Sequence, residues 1–197
     1  MTKLKEFIIK NKDIIVPTVT LFVICLVITM ALGFTNLLTV DKIAALEKKT
    51  QDEAMSTLLP ADEYAEIEQN KSFCAVKGGE TIGYIFITGQ KGYGGEIRVM
   101  TAVNLDGSVK AVTVLAAGDE TPGLGQNVTK DTFLAQYAGH FGGIEVVKNG
   151  ADSSLNQINA VTGATISSKA ATGADNEALE LYYNIVNTAA KEVSTGE

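Results

Sequence analysis

A long apolar run near the N-terminus limits the folds that this chain can adopt. No charged side chain occurs between Ile14 and Val40. A helix rises about 1.5 Å per residue, so this run reaches roughly 40 Å and exceeds the roughly 30 Å core of a bilayer. A cleaved signal peptide is the alternative, but its apolar core has only about 7–15 residues and ends at a small-residue cleavage site. The run therefore predicts an uncleaved transmembrane helix over residues 14–40.

The charges on either side of the run predict its orientation. Four lysines lie within residues 1–13, whereas the run is followed directly by Asp41 and Lys42. Positively charged flanks tend to stay in the cytoplasm. We therefore expect a single-pass protein of the cell (inner) membrane, with residues 1–13 in the cytoplasm and residues 41–197 outside it.

The charge of the outer portion excludes one class of partner. Residues 41–197 carry 12 basic and 21 acidic side chains, a net charge of −9. A surface of this sign repels nucleic acid, so we expect neither DNA nor RNA as a partner. The sequence also has only two cysteines, one histidine and no CxxC or HExxH motif. These counts predict no metal site and no catalytic acid, base or nucleophile.

The segment after the apolar run predicts helices and then strands. Residues 41–56 have a modest apolar stripe at helical spacing, Pro60 interrupts it, and Ala61–Gln69 is expected to form another short helix. Together they predict a helical stalk over residues 41–70. Four segments rich in β-branched and aromatic residues follow, separated by glycine-rich turns, and predict an antiparallel meander: FCAVKGG, ETIGYIFITGQ, GEIRVMTAVNLDG and SVKAVTVLAAG.

The C-terminal third predicts helices that flank this sheet. Residues 131–138 favour a short helix, IEVVKN favours a strand, and a long helix is expected from Thr165 to about Lys191. The fold class is therefore α+β: one N-terminal transmembrane helix followed by an antiparallel-sheet domain over residues 71–197 with flanking helices.

Two stretches carry the residues from which chemistry can be argued. In the first, Ala160–Ser168, Gly163 permits a turn and several hydroxyl side chains stand at the start of the final helix. A helix N-terminus suits a phosphate group, although small hydroxyl residues are also ordinary helix caps. In the second, Glu120–Gly125, an acid, a hydroxyl and a Pro-Gly turn follow a strand. Glycines there permit close approach to a flat ligand, and an ordinary surface loop is the alternative.

Taken together, the two stretches resemble one known family. The motif ETPGLG at Glu120–Gly125, TGAT at Thr162–Thr165 and YGGEIRVM at Tyr93–Met100 are similar to the flavin-carrying G subunit of the Rnf ion-translocating oxidoreductase complex. The related C subunit of the sodium-pumping NADH:quinone oxidoreductase shares the pattern. The compact length and the ETPGLG motif favour the Rnf branch.

The resemblance implies a covalently bound cofactor. FMN would be joined by a phosphoester bond to Thr165, made by a separate flavin transferase that uses FAD and a divalent metal. The family usually has Asp three positions before TGAT, where this chain has Asn159. It commonly has His just before ETPGLG, where this chain has Gly118-Asp119. The resemblance also implies that two sets of residues contact the cofactor: Thr162, Gly163 and Ala164 beside Thr165, and Glu120, Thr121, Pro122, Gly123 and Leu124 in the second stretch.

The implied function is an electron relay within a membrane complex. Electrons would pass from ferredoxin toward NAD, with ion translocation coupled in other membrane and peripheral subunits. The alternatives are a stand-alone extracytoplasmic FMN-dependent reductase, the C subunit named above, or an anchored structural module in which TGAT is only a helix cap.

Overall fold

The computed structural model describes residues 11–69 and 71–195. Most of the predicted cytoplasmic segment lies outside this range. The chain divides into two compact units, Met1–Lys49 and Thr50–Glu197. Residues 50–69 of the predicted stalk belong to the same unit as the sheet, and the part of the stalk before Thr50 belongs to the first unit.

The long helix α1 extends over Lys12–Leu58 and contains the whole apolar run. It is the one helix among the described residues that is long and apolar enough to cross a bilayer. Thr18, Thr20 and Thr29 within it each donate a hydroxyl hydrogen bond of 2.8 Å to the carbonyl four residues earlier. Their polar groups are therefore satisfied inside the helix, as an apolar solvent requires.

The second unit is built on an antiparallel meander of five strands in the order of the chain. The strands are β1 (Glu63–Glu68), β2 (Ser72–Lys77), β3 (Glu80–Lys91), β4 (Glu96–Asn104) and β5 (Val109–Ala116). The last four are the predicted ones. Gly78 and Gly79 adopt the positive φ values of a tight turn between β2 and β3.

The predicted helix over Ala61–Gln69 is wrong, since β1 occupies most of this segment. All but one of its side chains are exposed, so no apolar alternation identifies it as a strand. Its pairing with β2 decides its conformation, because tertiary contacts override a weak local preference. The predicted helical stalk over residues 41–70 therefore ends at Leu58.

Both faces of the sheet are covered by apolar side chains. On one face, Met55 and Leu58 from the end of α1 pack with Leu59 and with Ile85 of β3. On the other face, Phe86 of β3 belongs to a larger cluster with the C-terminal helix. The central strands are buried on both sides, which explains why they contain near-continuous apolar runs.

The segments after β5 return across one face of the sheet. They comprise the short helix α2 (Asp131–Leu134), the parallel pair β6 (Glu145–Val147) and β7 (Gln157–Asn159), and the helix α3 (Thr165–Thr195). Short 3-10 turns at Gly125–Thr129, Ala135–Tyr137 and Ser153–Leu155 connect them. Helix α3 begins at the predicted residue, and its inner face packs on β3 and β4.

Candidate cofactor site

The start of α3 and the loop after β5 form one cavity. Its volume is about 550 Å³, within the range of roughly 300–1,000 Å³ that is usual for small-molecule sites. The two sequence stretches, separated by some 40 residues in the chain, thus become neighbours. The lining residues are Tyr93, Glu120, Thr121, Leu124, Gly125, Gly163, Ala164, Thr165, Ile166 and Ser167.

A tight turn presents Thr165 at the edge of this cavity. Gly163 has a φ of +77°, a backbone conformation that residues with a side chain rarely adopt. The Ala164 N–H donates to the Val161 carbonyl at 2.9 Å. The Ser168 hydroxyl accepts from Val161 N–H and donates to the Ala164 carbonyl, both at 2.9 Å. These bonds hold the chain as it enters α3 and leave Thr165 half-buried as the first helical residue.

The opposite wall is a loop held by its own hydrogen bonds. The Thr121 carbonyl accepts from Leu124 N–H at 3.1 Å and from Gln126 N–H at 3.2 Å. The Asn127 side chain donates to the Gly123 carbonyl at 2.7 Å. A side chain at Gly163 would come within 2.9 Å of a Leu124 methyl carbon, so the two walls already touch at the Gly163 turn.

Glu120 lies under the cavity and joins three segments. It is 2% exposed; its Oε2 accepts from the Ser167 hydroxyl at 2.7 Å and its Oε1 accepts from Gly94 N–H at 3.0 Å. Burial alone would raise the pKa of this carboxyl. The hydrogen bonds from Ser167 and from the backbone of Gly94, Tyr93 and Gly95 outweigh burial and lower the pKa below its ordinary value. Glu120 is therefore ionised at neutral pH.

The structure brings together most, but not all, of the residues predicted for the site. Six of the nine line the cavity: Glu120, Thr121, Leu124, Gly163, Ala164 and Thr165. Pro122 and Gly123 shape the loop without lining the cavity. Thr162 borders a different cavity of about 360 Å³, together with Lys130 and Asn159.

Three lining residues were missed by the sequence prediction: Tyr93, Ile166 and Ser167. A fourth, Gly125, is the last residue of the predicted Glu120–Gly125 loop. The Gly92–Gly95 cluster beside Tyr93 was an available signal, because clustered glycines allow two backbones to approach closely. Here a side chain at Gly94 would collide with the backbone carbonyl of Asp119. Nothing in the sequence pattern indicates that Ser167 meets Glu120.

The chemistry of this cavity suits a phosphorylated, flat ligand. The N-terminus of the 31-residue helix α3 offers unpaired N–H groups and the positive end of the helix dipole, and Thr165 adds a hydroxyl there. Tyr93, Leu124 and Ile166 provide apolar surface at the mouth, where they are 73%, 41% and 55% exposed. Within residues 11–69 and 71–195, no group of His, Cys, Asp or Glu side chains is arranged to hold a metal ion.

Comparison with known protein families agrees with this geometry. Residues 92–180 match the family described as FMN-binding domain. This range includes the Tyr93 turn, the Glu120 loop and the start of α3. The fold and the site thus define a flavin-mononucleotide-binding protein.

Relatives that match most of the chain identify its family within the FMN-binding proteins. The chain is 34% identical to the G subunit of the proton-translocating ferredoxin:NAD(+) oxidoreductase complex of Clostridium ljungdahlii, over 87% of this chain and 94% of that one. It is also 34% identical to the G subunit of the Na(+)-translocating ferredoxin:NAD(+) oxidoreductase complex of Acetobacterium woodii, over 84% and 89% of the two chains. The chain belongs to the family of G subunits of ion-translocating ferredoxin:NAD(+) oxidoreductase complexes, the Rnf family.

A solved structure is also similar to part of this chain. The crystal structure of Shewanella oneidensis NqrC aligns with a TM-score of 0.48 and 27% identity, covering 53% of this chain and 52% of that one. The predicted fold class is confirmed by the long apolar helix, the antiparallel sheet and the flanking helices. Family membership makes the chain an electron-transfer subunit of a multi-subunit oxidoreductase.

Proposed function

We propose that this chain carries FMN as a phosphoester on Thr165 and relays electrons outside the cytoplasm within an Rnf-type complex. The observation that carries the proposal is the position of Thr165. It is the first residue of α3, it is half-buried, and it lines the same cavity as the Glu120–Gly125 loop. A hydroxyl at a helix N-terminus is where a phosphate would be stabilised by the free N–H groups and the dipole.

The attachment is a group transfer with a simple balance. The Thr165 oxygen would form a bond to the phosphorus on the FMN side of FAD, the pyrophosphate bond would break, and AMP would leave as the hydroxyl proton is released. A separate flavin transferase with a divalent metal would catalyse this step, as the resemblance to the Rnf G subunits implies.

The bound group and the protein have separate roles. FMN would supply the ability to accept one or two electrons. The chain would hold it between the Leu124 wall and the start of α3, with the exposed side chains of Tyr93 and Ile166 at the mouth. A partly open mouth lets electron carriers of neighbouring subunits approach without a substrate channel.

The partners and the location follow the same proposal. In the named relatives the complex acts on ferredoxin and NAD(+) and moves protons or Na(+). We place the ferredoxin and NAD sites in other membrane and peripheral subunits, because this sequence has no GxGxxG motif and no cysteine cluster. Helix α1 would anchor the chain in the cell membrane, with the N-terminus in the cytoplasm and the FMN domain outside.

Intact-mass analysis tests the attachment. The full chain, produced with a flavin transferase and denatured, should keep its yellow colour and gain the mass of FMN minus one water. Thr165→Ala should abolish this gain. Thr132→Ala is the matched control, since Thr132 is exposed, lines a different cavity and lies outside both motifs. Covalent flavin on the Thr165→Ala chain would refute the assignment. Flavin lost on denaturation of the wild-type chain would leave a non-covalent FMN protein, and purification from the native membrane without other subunits would favour a stand-alone reductase.

A further inference from the structure

We propose that Glu120 is a positioning residue whose buried carboxylate braces the cavity and whose negative charge makes the bound flavin harder to reduce. The inference rests on the proposed function, because it requires FMN in this cavity. It goes further by assigning to one residue of the chain the control of the flavin's reduction potential.

Both oxygens of the Glu120 carboxylate accept hydrogen bonds from other groups of the protein. Oε2 is occupied by the Ser167 hydroxyl and Oε1 by Gly94 N–H. A side chain at Gly92 would collide with Oε1, and one at Gly125 would collide with Oε2. The carboxylate is thus enclosed by backbone on two sides and by the first turn of α3 on a third. It fixes the Tyr93 turn relative to the helix that begins at Thr165.

The charge of this group lies in the wall of the cavity, where the side chain has little contact with solvent. Glu120 is 2% exposed yet lines the cavity, and its hydrogen bonds stabilise the ionised form. Among the described residues that line the cavity, Glu120 has the only charged side chain. Interactions between buried charges are stronger and less sensitive to salt than those at a surface.

A fixed negative charge beside a redox group opposes the arrival of electrons. Reduction of the flavin adds two electrons, supplied in the test by the electrode, and up to two protons from solvent. Whatever part of the added charge is not neutralised by protons is repelled by the Glu120 carboxylate. Removal of the charge should therefore increase the ratio of reduced to oxidised flavin at a given applied potential.

The isosteric variant Glu120→Gln in the full, FMN-loaded chain separates charge from shape. The glutamine oxygen can still accept from Gly94 N–H, and its amide can donate to the Ser167 oxygen. We expect the reduced-to-oxidised ratio at fixed potential to rise by about tenfold, which is about 30 mV for a two-electron couple. Asp119→Asn is the matched control. It removes one charge from the neighbouring position of the same loop, but Asp119 is exposed, so we expect a change of less than about twofold.

A second variant keeps the inference testable if Glu120→Gln does not fold. Glu120→Asp retains the negative charge but shortens the side chain that accepts hydrogen bonds from Gly94 and Ser167. We expect its potential to lie closer to wild type than to the glutamine variant, with lower thermal stability. Spectroelectrochemical titration gives the potential, and it works for any bound FMN, whether covalent or not.

The outcomes distinguish the two proposals. Equal potentials in folded, loaded wild-type and Glu120→Gln chains would overturn the role of the charge and leave the flavin assignment intact. An aspartate variant that shifts as far as the glutamine variant would reduce Glu120 to a structural brace. A natively produced chain that binds no flavin at all would refute the proposed function itself.

Discussion

Asp175 should make the stability of the folded chain depend on pH. It lies in α3, is fully buried, and its Oδ1 accepts a 2.7 Å hydrogen bond from the Thr101 hydroxyl of β4. Its Oδ2 has no hydrogen-bond partner among the described residues. Burial raises the pKa of Asp175 from 3.8 to about 7, although the bond from Thr101 acts in the opposite direction.

The sign of the effect follows from proton binding. Between about pH 4 and pH 7 the folded chain holds a proton on Asp175 and the unfolded chain does not, so the folded state binds more protons. Stability then falls as pH rises through this window. A difference of about three pH units at roughly 1.4 kcal/mol each gives a loss of at most roughly 4 kcal/mol, complete above about pH 7.

Asp175→Asn should remove this dependence, because an amide does not titrate. Its oxygen can still accept from Thr101. We expect the variant to be about as stable as wild type near pH 3–4, more stable by roughly 1.5 kcal/mol at pH 5, and more stable by up to roughly 4 kcal/mol near pH 8. Urea unfolding of the full chain in detergent, followed by near-UV circular dichroism of its six tyrosines, measures the difference. Glu180→Gln removes an exposed acid from the same helix and controls for net charge.

Two outcomes of the urea titrations would contradict a pKa of Asp175 that is raised on folding. If the difference between wild type and Asp175→Asn is the same at pH 5 and pH 8, Asp175 does not change its protonation on folding. If wild type gains stability relative to the variant as pH rises, the folded state holds the carboxylate in its charged form and the sign is reversed.

Two further predictions concern local packing. Gly94→Ala places a methyl group against the backbone carbonyl of Asp119. We expect the free energy of unfolding in urea to fall by about 1–3 kcal/mol and flavin loading to decrease. Gly118→Ala is the control: its new methyl group has open space around it, so the free energy of unfolding should change by less than about 0.5 kcal/mol. Tyr182→Phe removes a 2.6 Å hydrogen bond to the Leu105 carbonyl. The free energy of unfolding, measured by the same assay, should fall by about 1 kcal/mol, with flavin loading unchanged. Unchanged stability would show that water replaces the bond.

The parts of the fold that the sequence predicted well are those with a strong local signal. The apolar run, the helix beginning at Thr165 and the glycine turn between β2 and β3 each follow from residues that are close together in the chain. Strand β1 was missed because its side chains are mostly exposed, so its conformation depends on pairing with β2 rather than on its own pattern.

The candidate site was predictable in outline and not in its contacts. The ETPGLG and TGAT motifs indicated two walls, and the structure shows that they touch where Leu124 meets Gly163. The hydrogen bond between Glu120 and Ser167 joins positions 47 residues apart. No periodicity or propensity encodes such a pairing, and only the assembled fold reveals it.

The cover that Met55, Leu58 and Leu59 provide over one face of the sheet determines where a soluble fragment can be cut. A polypeptide that starts at Pro60 would keep all five strands but expose Phe73 and its apolar neighbours to water, and it would be expected to aggregate. A soluble fragment should therefore begin at about Thr50, which lies within the segment that the sequence predicts as a helical stalk.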